Sequence, residues 1–346
     1  MAENVILLLI VLLLGGLLFT TRVFFRQMLP RMRHQPRIAL VSGNLLILFC
    51  LIAIVVFAGE VHFRFFYDST DSFGLCKTTQ RWFERHFQRN HAGFRDSLHY
   101  LPTVEPGKRR ITFVGDSFTA GHGIADVEER FANRVRALRP QLEVHVLAEC
   151  GWDTQMELKL ITFVPQSGYE TDVVVLVYCL NDIADVIPEW QTVLARIYEA
   201  PDPGFFVKYS YFLNTLHSRY RAANEPQIAD YYGLVREAYQ GDTWQQQQEH
   251  LQAFRDQVLS RNAKLLVVTF PFLHALGTNY AYRSVHDELS KFWAQQNVPN
   301  LDLLDVFSDY KAGDVVLSPR DAHPNKLAHG LAAAAIASFL DAHLQE

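Results

Sequence analysis

The sequence predicts a three-layer α/β domain that follows a two-helix transmembrane hairpin. From Arg110 onward, short apolar runs alternate with helical patterns, as in domains built on a parallel sheet. Near-continuous apolar runs are typical of central parallel strands, so we expect a mainly parallel five-stranded sheet. The strand candidates are Arg110–Val114, Val144–Ala148, Val173–Tyr178, Leu265–Phe270 and Leu301–Leu304. The helical candidates are Arg130–Leu138, Gln155–Phe163, Trp244–Arg261, Arg283–Gln296 and Leu327–His343.

Two uncharged runs near the N-terminus predict the hairpin. Val5–Phe19, which can be extended through Thr21, and Ile38–Gly59 are long enough to cross the hydrocarbon as helices. An excess of arginine in the short loop between them marks the cytoplasmic side. We therefore expect a two-pass protein of a bacterial-type inner (plasma) membrane, with the rest of the chain in the periplasm or otherwise outside the cytoplasm. The alternative, a cleaved signal peptide at the first run, is disfavoured because a positive start is missing. The loop arginines are Arg22, Arg26, Arg31, Arg33 and Arg37.

Three segments follow from this pattern. They are a hairpin at 1–59, a juxtamembrane lead-in at 60–109 and the α/β domain at 110–346. The aromatic residues of Val61–Tyr67, in the lead-in, suit a membrane interface. An insertion at 183–242 is also rich in aromatic residues. It is either a lid whose rings stack on sugars or line a lipid entrance, or a packing element of the domain.

The composition excludes several classes of function. The formal net charge is −5, and we expect no nucleic-acid partner. The four cysteines lack CxxC spacing, so we expect no metal and no other cofactor. Cys150 and Cys179 are interpreted as small buried side chains, with a disulfide as the alternative in an oxidising compartment.

A candidate nucleophile lies in Arg110–Gly123, which reads RITFVGDSFTAGHG. An apolar strand ends there at Gly115-Asp116-Ser117, and the turn presents the Ser117 hydroxyl at the carboxyl end of the strand. In open parallel sheets, ligand sites form at this edge. A serine needs a base within hydrogen-bond reach and a third group that orients the base.

The ends of the next two strands offer hydrogen-bond donors. Gly151 follows the second strand, and its backbone N–H can approach a ligand closely because it has no side chain. Asn181 follows the third strand and offers a side-chain amide. Together with the Ser117 N–H, these groups predict an oxyanion hole.

The base is predicted near the C-terminus, in a polar, proline-bearing loop before the last helix. His323 lies in this loop, and Asp321 could accept from one ring nitrogen and leave the other for Ser117. His122 also follows a strand, but it has no carboxylate beside it in sequence, and it is interpreted as a residue lining the pocket.

Three further residues are pocket candidates. Asp116 neighbours the serine, and Asn90 and Arg95 lie in a compact loop, Asn90–Asp96, before the first strand. This loop either covers the sheet edge or brings Asn90 or Arg95 to the border of the site.

Four blocks of the sequence resemble the SGNH/GDSL esterase and acyltransferase superfamily. They are GDSFTAG around Ser117, Gly151, Asn181 in Leu-Asn-Asp, and Asp321-Ala-His323-Pro-Asn. The resemblance implies a flavodoxin-like sheet, a triad of Ser117, His323 and Asp321, and an oxyanion hole from Ser117, Gly151 and Asn181. Many members space the acid and base as Asp-x-x-His, whereas one residue separates Asp321 and His323 here, as in polysaccharide acetyltransferase relatives.

These features predict serine-dependent acyl transfer through an acyl-enzyme on Ser117. The expected reaction is O-acyl, often acetyl, transfer to or removal from an envelope polysaccharide. By family analogy, a membrane-bound O-acyltransferase is a candidate partner. The alternatives are a lipase or thioesterase acting on membrane lipids, and a non-catalytic glycan-binding assembly subunit.

Overall fold

The computed structural model describes residues 2–163, 168–198 and 201–344. Two long apolar helices open the chain, α1 (Ala2–Val23) and α2 (Pro36–Val61). They pack against each other, and the Thr21 hydroxyl lies 3.1 Å from the Cys50 thiol. The predicted pair of apolar helices is therefore present, and each is somewhat longer than the uncharged run that predicted it.

Within the described residues, three helical segments are long and apolar enough to cross a membrane: Ala2–Met32, Pro36–Phe66 and Lys326–Leu344. The third closes the α/β domain and buries one face there. Its buried residues are Ala328, His329, Ala332, Ala333, Ile336, Ala337 and Leu340.

A five-stranded parallel sheet forms the centre of the α/β domain. Its strands pair in the order β2-β1-β3-β4-β5, which is the flavodoxin-like order. The predicted fold class is confirmed. The strands are β1 (Arg109–Gly115), β2 (Leu142–Ala148), β3 (Val173–Cys179), β4 (Lys264–Phe270) and β5 (Asn300–Asp302). Every residue of β3 is buried, as a central parallel strand with helices on both faces requires.

The chain forms further α-helices after the hairpin. The remaining helices are α3 (Lys77–His86), α4 (Ser117–Ala120), α5 (Phe131–Leu138), α6 (Thr154–Phe163), α7 (Pro188–Tyr198), α8 (Phe205–Tyr209), α9 (Tyr211–Asn224), α10 (Pro226–Ala229), α11 (Tyr231–Ala238), α12 (Gly241–Leu259), α13 (Arg283–Gln295), α14 (Ala312–Val315) and α15 (Lys326–Leu344). The five predicted helices correspond to α5, α6, α12, α13 and α15.

Two local predictions differ from the structure. The fifth strand ends at Asp302 and not at Leu304, because the Asp302 carboxylate accepts from the Leu304 N–H at 2.8 Å and turns the chain. The predicted loop before the last helix is instead a short antiparallel ribbon of β6 (Val316–Ser318) and β7 (Asp321–Pro324).

The described chain forms two compact units. The first comprises Met1–Ser69, Gly74–Arg81 and Ala200–Asn224, and the second comprises Thr70–Phe73, Trp82–Glu199 and Glu225–Glu346. The sheet belongs to the second unit, and α8 and α9 belong to the first. The predicted insertion at 183–242 therefore contributes to both units, whereas the sequence-based domain boundaries themselves stay a prediction.

In the second unit, the aromatic residues of the insertion pack within the unit. Trp190 and Tyr231 are buried, and their rings lie 4.3 Å apart. Phe73 contacts the Tyr231 ring edge-on at 5.6 Å. For these residues the packing interpretation holds.

The cysteines Cys50, Cys76, Cys150 and Cys179 are free thiols, with Cys179 fully buried and Cys150 half-buried.

Candidate active site

Ser117 lies at the carboxyl end of β1, as the first residue of α4. The Asp116 carboxylate accepts from the Phe118 N–H at 2.9 Å and caps this short helix. The first residue of the motif, Gly115, has no space for a side chain. A Cβ atom at Gly115 would meet the Thr119 hydroxyl and come within 2.8 Å of the Val177 carbonyl oxygen.

His323 connects the serine to a carboxylate. Its Nε2 atom lies 2.8 Å from Ser117 Oγ, and its Nδ1 atom lies 2.6 Å from Asp321 Oδ1. Asp321 and His323 are two residues apart on β7, so the period of two along a strand places both side chains on one face. The ribbon therefore gives a physical reason for the Asp-x-His spacing.

Asp321 is fully buried and remains ionised. The Thr70 hydroxyl donates to its Oδ2 atom at 2.5 Å, and the His323 backbone N–H donates to its Oδ1 atom at 3.1 Å. Burial alone would raise the pKa of Asp321, but the charge on His323 and the contacts with His122 and His323 hold it well below its usual range. A carboxylate kept charged in this way is suited to orient and stabilise an imidazolium.

His122 stacks face to face on His323. The ring centroids are 4.0 Å apart, the planes differ by 13°, and His122 Nε2 lies 3.4 Å from Asp321 Oδ2. Trp82 and Phe83 pack around the other side of His122. Burial, followed by the charge on His323, lowers the pKa of His122 to about 4, so the ring is neutral at pH 7.

One set of side chains among the described residues is arranged so that it could hold a metal ion. Ligand atoms of His122, Asp321 and His323 lie within 4.8 Å of one another. These atoms include the ones that join His323 to Asp321, so a metal ion here would compete with the hydrogen bonds that connect the imidazole to Ser117.

Two of the predicted oxyanion-hole donors, Gly151 and Asn181, follow the strands on either side of β1, which leads to Ser117. Gly115 at the end of β1 pairs with Ala148 of β2 and with Val177 of β3. Gly151 follows β2 with a φ of +81°, a conformation that favours glycine. A Cβ atom added to Gly151 would have no atom of the described residues within 4 Å, so the space beside it is open. Asn181 follows β3, and its side-chain N–H donates to Asp116 Oδ2 at 3.1 Å.

Residues 113–331 match the sequence profile of the GDSL-like lipase/acylhydrolase family, which is more than half of the chain. The chain belongs to the GDSL-like lipase/acylhydrolase family. The GDSFTAG motif around Ser117, the candidate oxyanion-hole residues and the Asp321–His323 ribbon all fall within the matched region.

Several solved structures are similar to this family member at low identity. A G-D-S-L family lipolytic protein from Desulfitobacterium hafniense is 15% identical, with a TM-score of 0.41, and the match covers 67% of this chain and 99% of that one. The esterase EstA from Pseudoalteromonas sp. is 14% identical, with a TM-score of 0.42, over 69% and 100% of the two chains. A lipase/acylhydrolase from Enterococcus faecalis is 16% identical, with a TM-score of 0.40, over 68% and 96%. No curated protein matches this chain.

Arg95 of this GDSL-like protein supports the loop that carries His122. The guanidinium is buried and donates to the backbone carbonyls of Gly121, at 2.6 Å, and Ile124. It also lies over the Trp82 ring. Burial, followed by repulsion from a neighbouring arginine, lowers the pKa of Arg95 to about 10, so it stays charged at pH 7. Arg95 thus lies behind the site and contacts its loop.

Asn90 organises a turn. Its side-chain oxygen accepts from the N–H groups of Ala92 and Phe94, and its amide donates to the Leu98 carbonyl at 2.9 Å. These bonds agree with the interpretation of Asn90–Asp96 as a structural loop.

Asp116 is fully buried beside the serine, and burial raises its pKa although Asn181 and the Phe118 N–H oppose the shift.

Sequence reasoning missed Thr70 and Trp82. Thr70 bonds to a carboxylate 251 positions away in the chain. A single threonine in a lead-in segment carries no motif, so the sequence offers no signal for its role. Trp82 shows in the sequence only as an aromatic residue in a charged stretch.

Proposed function

We propose that this protein is a serine-dependent acyl-transfer enzyme whose nucleophile is Ser117. The observation that carries the proposal is the His323 ring, which bridges Ser117 Oγ at 2.8 Å and Asp321 Oδ1 at 2.6 Å. A hydroxyl, an imidazole and a carboxylate in this order form a catalytic triad, in which the imidazole takes the serine proton and the carboxylate orients the imidazole.

The reaction follows from the positions of these groups. His323 Nε2 takes the Ser117 proton while the Oγ atom forms a bond to an ester carbonyl carbon. His323 then gives the proton to the leaving alcohol, and the acyl group stays on Ser117. Water or a sugar hydroxyl then gives its proton to His323 and attacks the acyl carbon, and the bond from this carbon to Ser117 Oγ breaks as His323 returns the proton to Oγ.

The negative oxygen of the tetrahedral intermediate needs donors. The backbone N–H groups of Ser117 and Gly151 and the amide of Asn181 come from three adjacent strand ends, which supports their assignment to an oxyanion hole. An amide nitrogen carries two hydrogens. The bond to Asp116 uses one of them and orients the group, and the second is assigned to the substrate oxygen.

We assign an envelope polysaccharide or related glycan as the substrate, with O-acyl, most commonly acetyl, groups added or removed. The support is the pair of apolar N-terminal helices, which would hold the enzyme at an inner membrane where glycans pass. The arginine-rich link between the helices supports a cytoplasmic loop and a periplasmic α/β domain. A membrane-bound O-acyltransferase is the matching acyl supplier.

Covalent labelling tests the nucleophile. A fluorophosphonate probe should modify the full chain and fail to modify Ser117→Ala, whereas Ser338→Ala, a change at an exposed serine of α15, should label normally. Absence of labelling in folded wild-type protein would contradict the proposal and favour a non-catalytic binding subunit.

Product analysis tests the substrate. The full chain is incubated with an acetyl donor and glycan oligomers, and separately with acetylated oligomers. O-acetylated oligomer indicates transfer, and acetate released from acetylated oligomer indicates removal. Fatty acid released from phospholipid vesicles, with no reaction on either glycan, would replace the glycan assignment with a lipase activity.

A further inference from the structure

Four exposed phenylalanines in the first compact unit form a feature that the chemistry at Ser117 does not use. Phe65 and Phe66 follow α2 and are 56% and 73% exposed, and Phe205 and Phe206 of α8 are 46% and 61% exposed. We call these four residues the aromatic rim. Single exposed apolar side chains are common, but a group of large aromatic ones on one unit indicates an interaction surface.

The start of α9, directly after α8, is bound to the end of α2. Glu60 Oε2 accepts from the Ser210 hydroxyl at 2.7 Å and from the Phe212 N–H at 3.1 Å. Gly59 makes the contact close, because a Cβ atom there would come within 2.8 Å of the Phe212 ring. The Phe63 and Phe212 rings also stack, with centroids 6.1 Å apart. The position of α8 relative to α2 is therefore specified by these contacts.

The first residues of α1 also bond to residues that follow the end of α2 and begin α9. Arg64 donates to the Glu3 carbonyl at 2.8 Å and to the Asn4 side-chain oxygen at 2.6 Å. The Tyr211 hydroxyl donates to the Glu3 carboxylate at 3.3 Å. These polar and charged groups mark the end of the apolar part of the helix pair. In a membrane-spanning pair this is the headgroup level.

We propose that the aromatic rim inserts into the lipid interface of the leaflet that surrounds this end of the helix pair. The proposal rests on the membrane location given above. A lipid surface fits better than a glycan because the four exposed rings are wholly apolar and lie at the end of an apolar helix pair. Lys208, half exposed beside the Tyr209 ring, is paired with the Asp202 carboxylate at 2.9 Å, and a polar charge pair of this kind suits the headgroup level. The exposed apolar faces of α1 and α2 continue into the rim, so one lipid layer can cover both.

Fluorescence quenching by lipid measures this insertion. The full chain is reconstituted in phosphatidylcholine–phosphatidylglycerol vesicles whose acyl chains carry bromine. The Phe206→Trp variant should show added emission, relative to wild type, that is blue-shifted and quenched by the brominated lipid. Leu259→Trp, at a residue of α12 that is 50% exposed, is the matched control and should stay unquenched.

Equal quenching of the two added tryptophans, or none at either, would overturn the proposal. Phe205→Trp is a second reporter in case Phe206→Trp does not fold. Extraction of the wild-type chain with alkaline carbonate separates the two hypotheses. A chain that is extracted refutes the membrane location itself, whereas a retained chain with an unquenched rim refutes the insertion alone.

Discussion

His122 and His323 lie face to face, with ring centroids 4.0 Å apart and planes that differ by 13°. The neutral ring of His122 fills the space beside the His323 imidazole, which carries a positive charge in the proposed reaction. Its Nε2 atom also faces Asp321 Oδ2 at 3.4 Å. We infer that His122 is a positioning residue that keeps the His323 plane aligned with Ser117.

Replacing His122 tests this relationship. His122→Ala should lower kcat by up to about 100-fold, because a ring free to tilt moves Nε2 away from Ser117. His122→Phe keeps the stacking surface and should retain most of the activity. The measurement is kcat and KM on a soluble ester, with KM expected to change little. Equal losses in both variants would show that the polar edge of His122, and not its face, is required.

Substitutions of Asp321 and Thr70 test whether the carboxylate and its hydrogen-bond donor contribute to kcat. Asp321→Asn should lower kcat by about 10⁴-fold, since an amide cannot hold the tautomer or stabilise the imidazolium. Thr70→Val removes one donor to Asp321 and should cost about tenfold. Steady-state hydrolysis of the same ester compares the two. An inactive Thr70→Val protein with an intact fold would mean that Thr70 contacts the reaction directly.

The oxyanion assignment predicts a kcat effect at Asn181. Asn181→Ala should lower kcat by about 10²- to 10³-fold with little change in KM, because the amide would bind the oxygen only when it becomes negative. Asn224→Ala, at the exposed end of α9, is the control. An unchanged kcat in Asn181→Ala would remove this residue from the hole and leave its bond to Asp116 as its role.

Arg95 should matter for stability. Arg95→Met leaves the carbonyls of Gly121 and Ile124 without their buried donor, and we expect a loss of about 3 kcal/mol in the free energy of unfolding. Arg89→Met removes an ion pair with Glu149 from a half-exposed arginine and should cost about 0.5 kcal/mol. Urea unfolding in detergent measures both, and similar losses would contradict the role of Arg95 in holding the loop.

Acid should destabilise the fold through His329. Its ring is fully buried, its Nδ1 atom accepts from the Phe131 N–H at 3.2 Å, and burial followed by nearby arginines lowers its pKa to about 3. Between pH 6.5 and 3, the unfolded chain binds a proton at this site that the folded chain does not. The stabilising contribution is complete above pH 6.5 and is lost as the pH falls, by an amount on the order of 4 kcal/mol.

The measurement is the pH dependence of the unfolding free energy for wild type and His329→Asn. The variant should be less stable at pH 7, and its stability should fall less between pH 6.5 and 4. Parallel curves for the two proteins would show that His329 is not the group responsible.

The sequence was sufficient for the sheet because each buried strand is an uninterrupted apolar run, as in Val173–Cys179. It also named Ser117 and His323, because strand ends and a short polar motif are local features. The ribbon that carries His323 was not predicted, since β6 and β7 have only three and four residues. Thr70 and Arg95 bond to residues distant in sequence, and the residues next to them in the chain form no motif that predicts those partners.

The insertion shows another limit of sequence reasoning. Tyr211 and Tyr231 lie in one aromatic-rich stretch, yet the first belongs to the unit of α1 and α2 and the second to the unit of the sheet. Aromatic residues occur on both sides of this division. Only the partners distinguish them, with Glu3 bonded to Tyr211 and Trp190 packed on Tyr231.

The interleaving of the two units has a consequence for proteolysis. The chain passes repeatedly between them, and the segment Gly74–Arg81 and helix α9 both belong to the first unit, which contains α1 and α2. A protease that cuts after Ser69 would leave the second unit covalently joined to both of these stretches. A cut just before Trp82 would leave Thr70 on a different fragment from Asp321, to which its hydroxyl donates. A single cleavage at either position therefore does not separate the whole second unit from all segments of the first.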